Sequence, residues 1–156
     1  MRIRVVAIGH RMPSWVEAGC DEYVKRLPRE WNFELVALKA PSHQEARPAA
    51  DVMRTEARLI EAAIPADHRR VALDEHGRAA TTAELAAMVR AWREDGSNAA
   101  FIIGGADGLD PAIKANADRL LALSSLTLPH ALARLLLVEQ LYRAASLLQG
   151  HPYHRP

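Results

Sequence analysis

Over the first forty positions the spacing of apolar residues changes from a continuous run to a helical repeat, which predicts a strand followed by a helix. Ile3 to Ile8 is almost uninterrupted by polar residues and is closed by Gly9, as in a strand covered on both faces. Trp15, Val16, Cys20, Tyr23, Val24 and Leu27 then fall on one face of a helix over 15–27. Phe33 to Leu38 predicts a second strand, Ala40 to Pro48 a polar loop with two prolines, and Ala49 to Ala63 a second helix with Val52, Met53, Leu59 and Ile60 inward. Val71-Ala72-Leu73 is a short third strand. Thr81 with Glu84 three residues on is a capping box, opening a helix that runs through Trp92 to about Asp95 and stops at Gly96.

Ala99 to Ile103 is apolar at every position, as expected in the middle of a parallel sheet. Asp110 before Pro111 is an N-cap and first-turn pair, so a short helix is predicted from Pro111 to about Ala117, with Leu120 to Leu126 as the next strand. Strands alternating with helices imply an α/β fold: a mostly parallel sheet of five to six strands with helices on both faces. A ligand of such a sheet lies beyond the carboxyl ends of its strands, here Leu73-Asp74, Gly104-Gly105 and Leu126-Thr127.

Composition narrows the class. The 156 residues fit one domain spanning 1–156, with no repeat, linker or low-complexity block. No apolar run reaches the roughly 18 to 20 residues of a membrane span. The opening nine residues are too short and strand-like for a secretory signal, so a cytoplasmic protein is expected. Twenty Lys and Arg against 19 Asp and Glu leave a net charge of +1, too little for counterion release to dominate binding to free nucleic acid. An RNA partner would have to be recognised by shape. The single Cys20 excludes an internal disulfide and reads as a small buried thiol.

The candidate chemistry sits in the last third of the chain. Gly104, Gly105 and Gly108 leave amides uncovered for a small polar ligand, but their order matches neither the dinucleotide fingerprint nor a phosphate loop. Leu123 to Leu128 alternates apolar and small polar residues until Pro129 breaks the strand. The helix from Ala131 to Gln149 is apolar on more than one side, which points to burial against a second copy. His130 and Arg134, one turn apart, can both face the loop mouth, whereas Glu139 and Arg143 read as a solvated i,i+4 pair. In the tail, Tyr153 can stack on a base, Arg155 can pair with phosphate and His154 can accept a proton; two histidines without a nearby carboxylate make a poor metal site. A nucleotide-binding enzyme of another kind and a non-catalytic dimerisation module remain open on these residues.

Val6-Ala7-Ile8-Gly9, Met12-Pro13-x-Trp15, Glu22-Tyr23-x-x-Arg26, Phe101 to Gly105, Leu126 to His130, Arg134, Glu139 to Ala144 and Tyr153-His154 together resemble the RlmH-type SPOUT methyltransferases. These are small bacterial enzymes that modify pseudouridine in large-subunit ribosomal RNA. The resemblance implies S-adenosylmethionine as methyl donor, a C-terminal trefoil knot, an obligate homodimer with a shared site, and an assembled ribosome as substrate, with no metal and no membrane. It places the cofactor against Leu73, Gly104, Gly105, Leu123, Ser124, Ser125, Leu126, Thr127 and Leu128. For transfer to N3 of pseudouridine it leaves His154 and His130 as candidate bases and Arg134 or Arg143 as the group stabilising the uracil oxyanion. Tyr153 and Arg155 would contact the RNA.

Overall fold

The computed structural model describes residues 1–42 and 47–153; the centre of the polar loop at 43–46, and His154 and Arg155 of the tail, lie outside the described residues. The strands are β1 (Ile3–Ile8), β2 (Glu34–Leu38), β3 (His68–Ala79), β4 (Asn98–Ile103) and β5 (Arg119–Ala122). All neighbouring pairs are parallel, in the order β2-β1-β4-β3-β5. The helices are α1 (Ser14–Val24), α2 (Ala49–Ala63), α3 (Thr82–Glu94), α4 (Pro111–Ala115) and α5 (His130–Leu148), with a 3-10 turn at Arg29–Trp31.

Alternation along the central strands divides the core into two layers, because successive side chains point to opposite faces. Val5, Ala7, Ala99, Phe101 and Ile103 face α3 and α5, joined by Leu85, Val89, Leu137 and Leu141. Val6, Ile8, Ala100 and Ile102 face the other way, onto Ile60 of α2 and Ile113 of α4. Both faces are covered, which is why β1 and β4 carry almost no polar residue. The Thr81 capping box forms, with reciprocal bonds to Glu84, and the Asp110 carboxylate accepts from the Ala112 N–H.

Several expectations shift. The helix expected over 15–27 ends at Val24, because Pro28 disfavours helical geometry in the residue before it; Leu27 is still buried. Trp15 is 57% exposed, since the buried stripe of α1 is Val16 and Cys20, one turn apart. Leu59 of α2 is likewise exposed. The third strand is longer than three residues: after Leu73 the chain bulges and re-pairs, so that Leu73 and Arg78 both oppose Leu121. A Cβ at Gly77 would lie 2.8 Å from main-chain atoms of Leu120 and Leu121, an approach open only to glycine. The apolar pattern stops at Leu73, so a polar continuation at the sheet's side was invisible to it. Conversely β5 ends at Ala122, and 123–129 is loop.

The two-sided apolar character of α5 is met largely within the chain. Its Leu137, Leu141, Ala144 and Ala145 join the layer with α3, while Val138 packs with Val16 and Cys20 of α1. A second copy is therefore not required by these residues; Leu136 is the large α5 side chain left well exposed.

Candidate active site

The bulge of β3 and the carboxyl ends of β4 and β5 surround a cavity of about 640 Å³, within the range of small-molecule sites. Leu73 ends the regular part of β3, Gly104 and Gly105 follow β4, and Leu123, Ser124, Leu126, Thr127 and Leu128 come from the loop after β5; all line the cavity. Ser125, in the same loop, is not a wall residue. The Ser124 hydroxyl accepts from the Leu126 N–H at 2.9 Å, which turns the loop and leaves Leu126 72% exposed at the mouth.

The turn after β4 is tight. Gly108 N–H donates to the Gly105 carbonyl at 3.1 Å, Gly108 has a φ of +83°, and a Cβ at Gly104 would meet the Gly108 carbonyl at 2.8 Å. Side chains are excluded at both positions for different reasons, one steric and one conformational. The result is a wall made of bare main chain.

Of the acids of this site, sequence reading placed Asp74 at a strand end but gave none of them a role. Asp74, Glu75 and Asp107 line it, and among the described wall residues there is no lysine or arginine. Asp74 is bound by Lys114 Nζ at 2.8 Å and accepts from the His76 N–H, and these bonds, the lysine's first, hold its carboxyl below the usual carboxylate range. Their signal was the polar pair directly after a buried strand, but the bulge that turns them toward the cavity carries no pattern of its own.

His130 and Arg134 part company. His130, at the first turn of α5, lines the cavity. Arg134, 3% exposed, donates from Nη2 to the carbonyls of Gly9 at 2.7 Å and Ile8 at 3.2 Å, and is not a wall residue. Burial pushes its guanidinium's pKa down, with Cys20 and Glu17 opposing the shift. It ties α5 to the end of β1.

Tyr153 lies at the other end of α5. Its ring stacks obliquely on Tyr142, centroids 4.6 Å apart, and the Arg143 guanidinium sits 4.9 Å above it. Its hydroxyl donates to Glu139 at 3.2 Å, and burial first, then the Tyr23 hydroxyl, drives the phenol pKa well up. Arg143 also pairs with Glu139 at 2.7 Å. From His130 to Tyr142 the helix spans about 18 Å, and none of these groups lines the cavity.

Among the described residues no cluster of His, Cys, Asp or Glu is arranged to hold a metal, and no helix is long and apolar enough to cross a membrane. A family model described as a predicted SPOUT methyltransferase matches residues 1–154. Ribosomal RNA large subunit methyltransferase H of Paraburkholderia xenovorans (strain LB400) is 54% identical over 155 residues, covering 99% of each chain. The protein of that name from Ralstonia pickettii (strain 12J) matches to the same extent. A probable methyltransferase from Bordetella pertussis Tohama I superposes with a TM-score of 0.59 at 20% identity, over 92% of this chain and 96% of that one, a likeness of fold alone. With nearly every residue inside the matched span, the chain belongs to the SPOUT methyltransferase family.

Proposed function

We propose that the protein is a cytoplasmic S-adenosylmethionine-dependent methyltransferase acting on N3 of a pseudouridine in large-subunit ribosomal RNA, in the assembled ribosome. The observation that carries this reading is the leucine-walled, glycine-turned cavity at three strand ends, in a chain 54% identical to large-subunit methyltransferases H. Residues 1–156 form one catalytic domain, and a trefoil knot at the cavity loops is part of the reading because the family implies it.

The residues present fit the cofactor. Leu73, Leu123, Leu126 and Leu128 offer apolar faces for an adenine, and the bare main chain at Gly104 and Gly105 offers N–H and C=O groups to its polar edge and ribose. The wall carboxylates Glu75 and Asp107, beside an Asp74 already paired with Lys114, favour a ligand bearing a sulfonium and an ammonium. They disfavour a phosphorylated nucleotide, which counts against the other class of nucleotide-binding enzyme.

When bound, S-adenosylmethionine supplies a methyl group already activated as a sulfonium. The chain's contribution is to orient it and to remove the proton from the uracil imide. Holding donor and acceptor in line accounts for about 7 to 11 kcal/mol of barrier reduction in well-oriented systems. His130, on the cavity wall, takes the N3 proton, or His154 of the tail does so. Arg134 keeps the first turn of α5, and His130 with it, against β1. With the Arg134 guanidinium held on those carbonyls, stabilising the uracil oxyanion falls to Arg143.

A homodimer completes the site. The Tyr153, Arg143 and Tyr142 group would stack on the target base and face its oxyanion, yet lies a helix length from its own cavity. A second protomer can present it, with exposed Trp15 and Leu136 available for contact. Calorimetric titration with S-adenosylmethionine tests the reading: one specific site per protomer of a sedimenting dimer is expected, and absence of binding rejects it.

A further inference from the structure

The buried stripe of α2 contains an acid. Val52, Glu56 and Ile60 are spaced one turn apart and share the helix face turned inward; all are buried, Glu56 at 4% exposure. That face meets the layer of Ile102, Leu109 and Ile113, where packing asks only for an apolar side chain. A carboxylate is kept at such a position only when it is partnered, as Glu56 is, so its side chain is held in place rather than merely filling space.

Its position supplies one. A Cβ at Gly105 would lie 2.6 Å from Oε1, 3.0 Å from Oε2 and 3.1 Å from Cδ of Glu56. Gly105 is a cavity wall residue and Glu56 is not. Gly105 also differs from Gly108 in having no positive φ, so its backbone conformation would accept alanine. A side chain at 105 would have to displace the carboxylate behind it.

We propose that Glu56 is a positioning residue for the cofactor. Its carboxylate braces the turn 104–108 from the α2 side, fixes the gap between that turn and the loop 123–128, and thereby sets cofactor affinity without touching the ligand. This rests on the reading of the cavity as an S-adenosylmethionine site.

The test is a double-substitution cycle in the full chain, read by calorimetry with S-adenosylmethionine, with melting temperature and the KM and kcat of methyl transfer measured alongside. Gly105→Ala is expected to weaken binding on the order of tenfold, a coupling typical of residues in contact. In a Glu56→Asp background, where the carboxylate is drawn back by one methylene, the same alanine is expected to cost no more than about twofold. For the Glu56 variants the effect should fall on KM for the cofactor more than on kcat. Glu56→Gln, which preserves the shape, should bind more tightly than Glu56→Ala. Equal alanine costs in both backgrounds, with the wild-type chain binding normally, would overturn the inference alone. No binding by the wild-type chain overturns the cofactor reading and the inference together.

Discussion

The Thr127 hydroxyl donates to Glu75 Oε2 at 2.7 Å and so joins the loop after β5 to the bulge of β3 across the cavity edge. Both residues line the cavity, and the bond restrains the loop that carries Leu126 and Leu128. Thr127→Val keeps the shape and removes the donor. An exposed hydrogen bond to a carboxylate contributes about 0.5 to 1 kcal/mol, so cofactor affinity should fall about two- to fivefold with little change in melting temperature. Titration calorimetry beside a thermal melt separates the two effects; unchanged affinity would show that the loop is held by other contacts.

Arg134 should behave differently. Its guanidinium joins α5 to the end of β1 from a buried position, and removing it strands two carbonyls and leaves a void. Arg134→Ala should lower unfolding free energy by about 2 to 4 kcal/mol, measured by urea denaturation. Arg134→Lys should recover part of that loss.

The fold was legible in the sequence wherever a single period dominated. β1 and β4 were visible as unbroken apolar runs, and α3 through its capping box and amphipathic stripe. The cavity's place followed from the strand ends. What escaped was set by tertiary contacts: the bulge at 74–77 that turns Asp74 and Glu75 inward depends on Gly77 lying against β5, and Trp15 carries the hydrophobicity of a core residue while sitting one position off the buried stripe of α1. Glu56 was hidden because a lone acid on a helix reads as solvated, although its spacing from Val52 and Ile60 put it on the inward face. Arg134 was legible as a neighbour of His130, but not as a residue bound to β1.

Acid should expose the Asp74–Lys114 pair. Asp74 has a folded pKa below its unfolded value of about 3.9. Its ionised form therefore contributes stability above that unfolded value, and the contribution is lost as pH falls through the folded pKa. Melting temperatures of wild type and Asp74→Asn should differ near pH 7, with wild type higher, and should converge below about pH 3.9. A constant difference across that range would contradict the assignment.

Proton removal divides two imidazoles. With saturating cofactor, His130→Ala or His154→Ala is expected to lower turnover by about 10²- to 10⁴-fold, the usual contribution of a positioned base, while cofactor binding persists. Full activity in both variants would leave positioning as the whole of catalysis.

The central claim concerns what receives the methyl group. Purified protein should be incubated with tritium-labelled S-adenosylmethionine and ribosomes from cells lacking this gene product, and the labelled nucleoside mapped. The expected result is label at N3 of one pseudouridine of large-subunit ribosomal RNA, with ribosomes a better substrate than protein-free RNA fragments. Label elsewhere, or none in the presence of demonstrated cofactor binding, would contradict it.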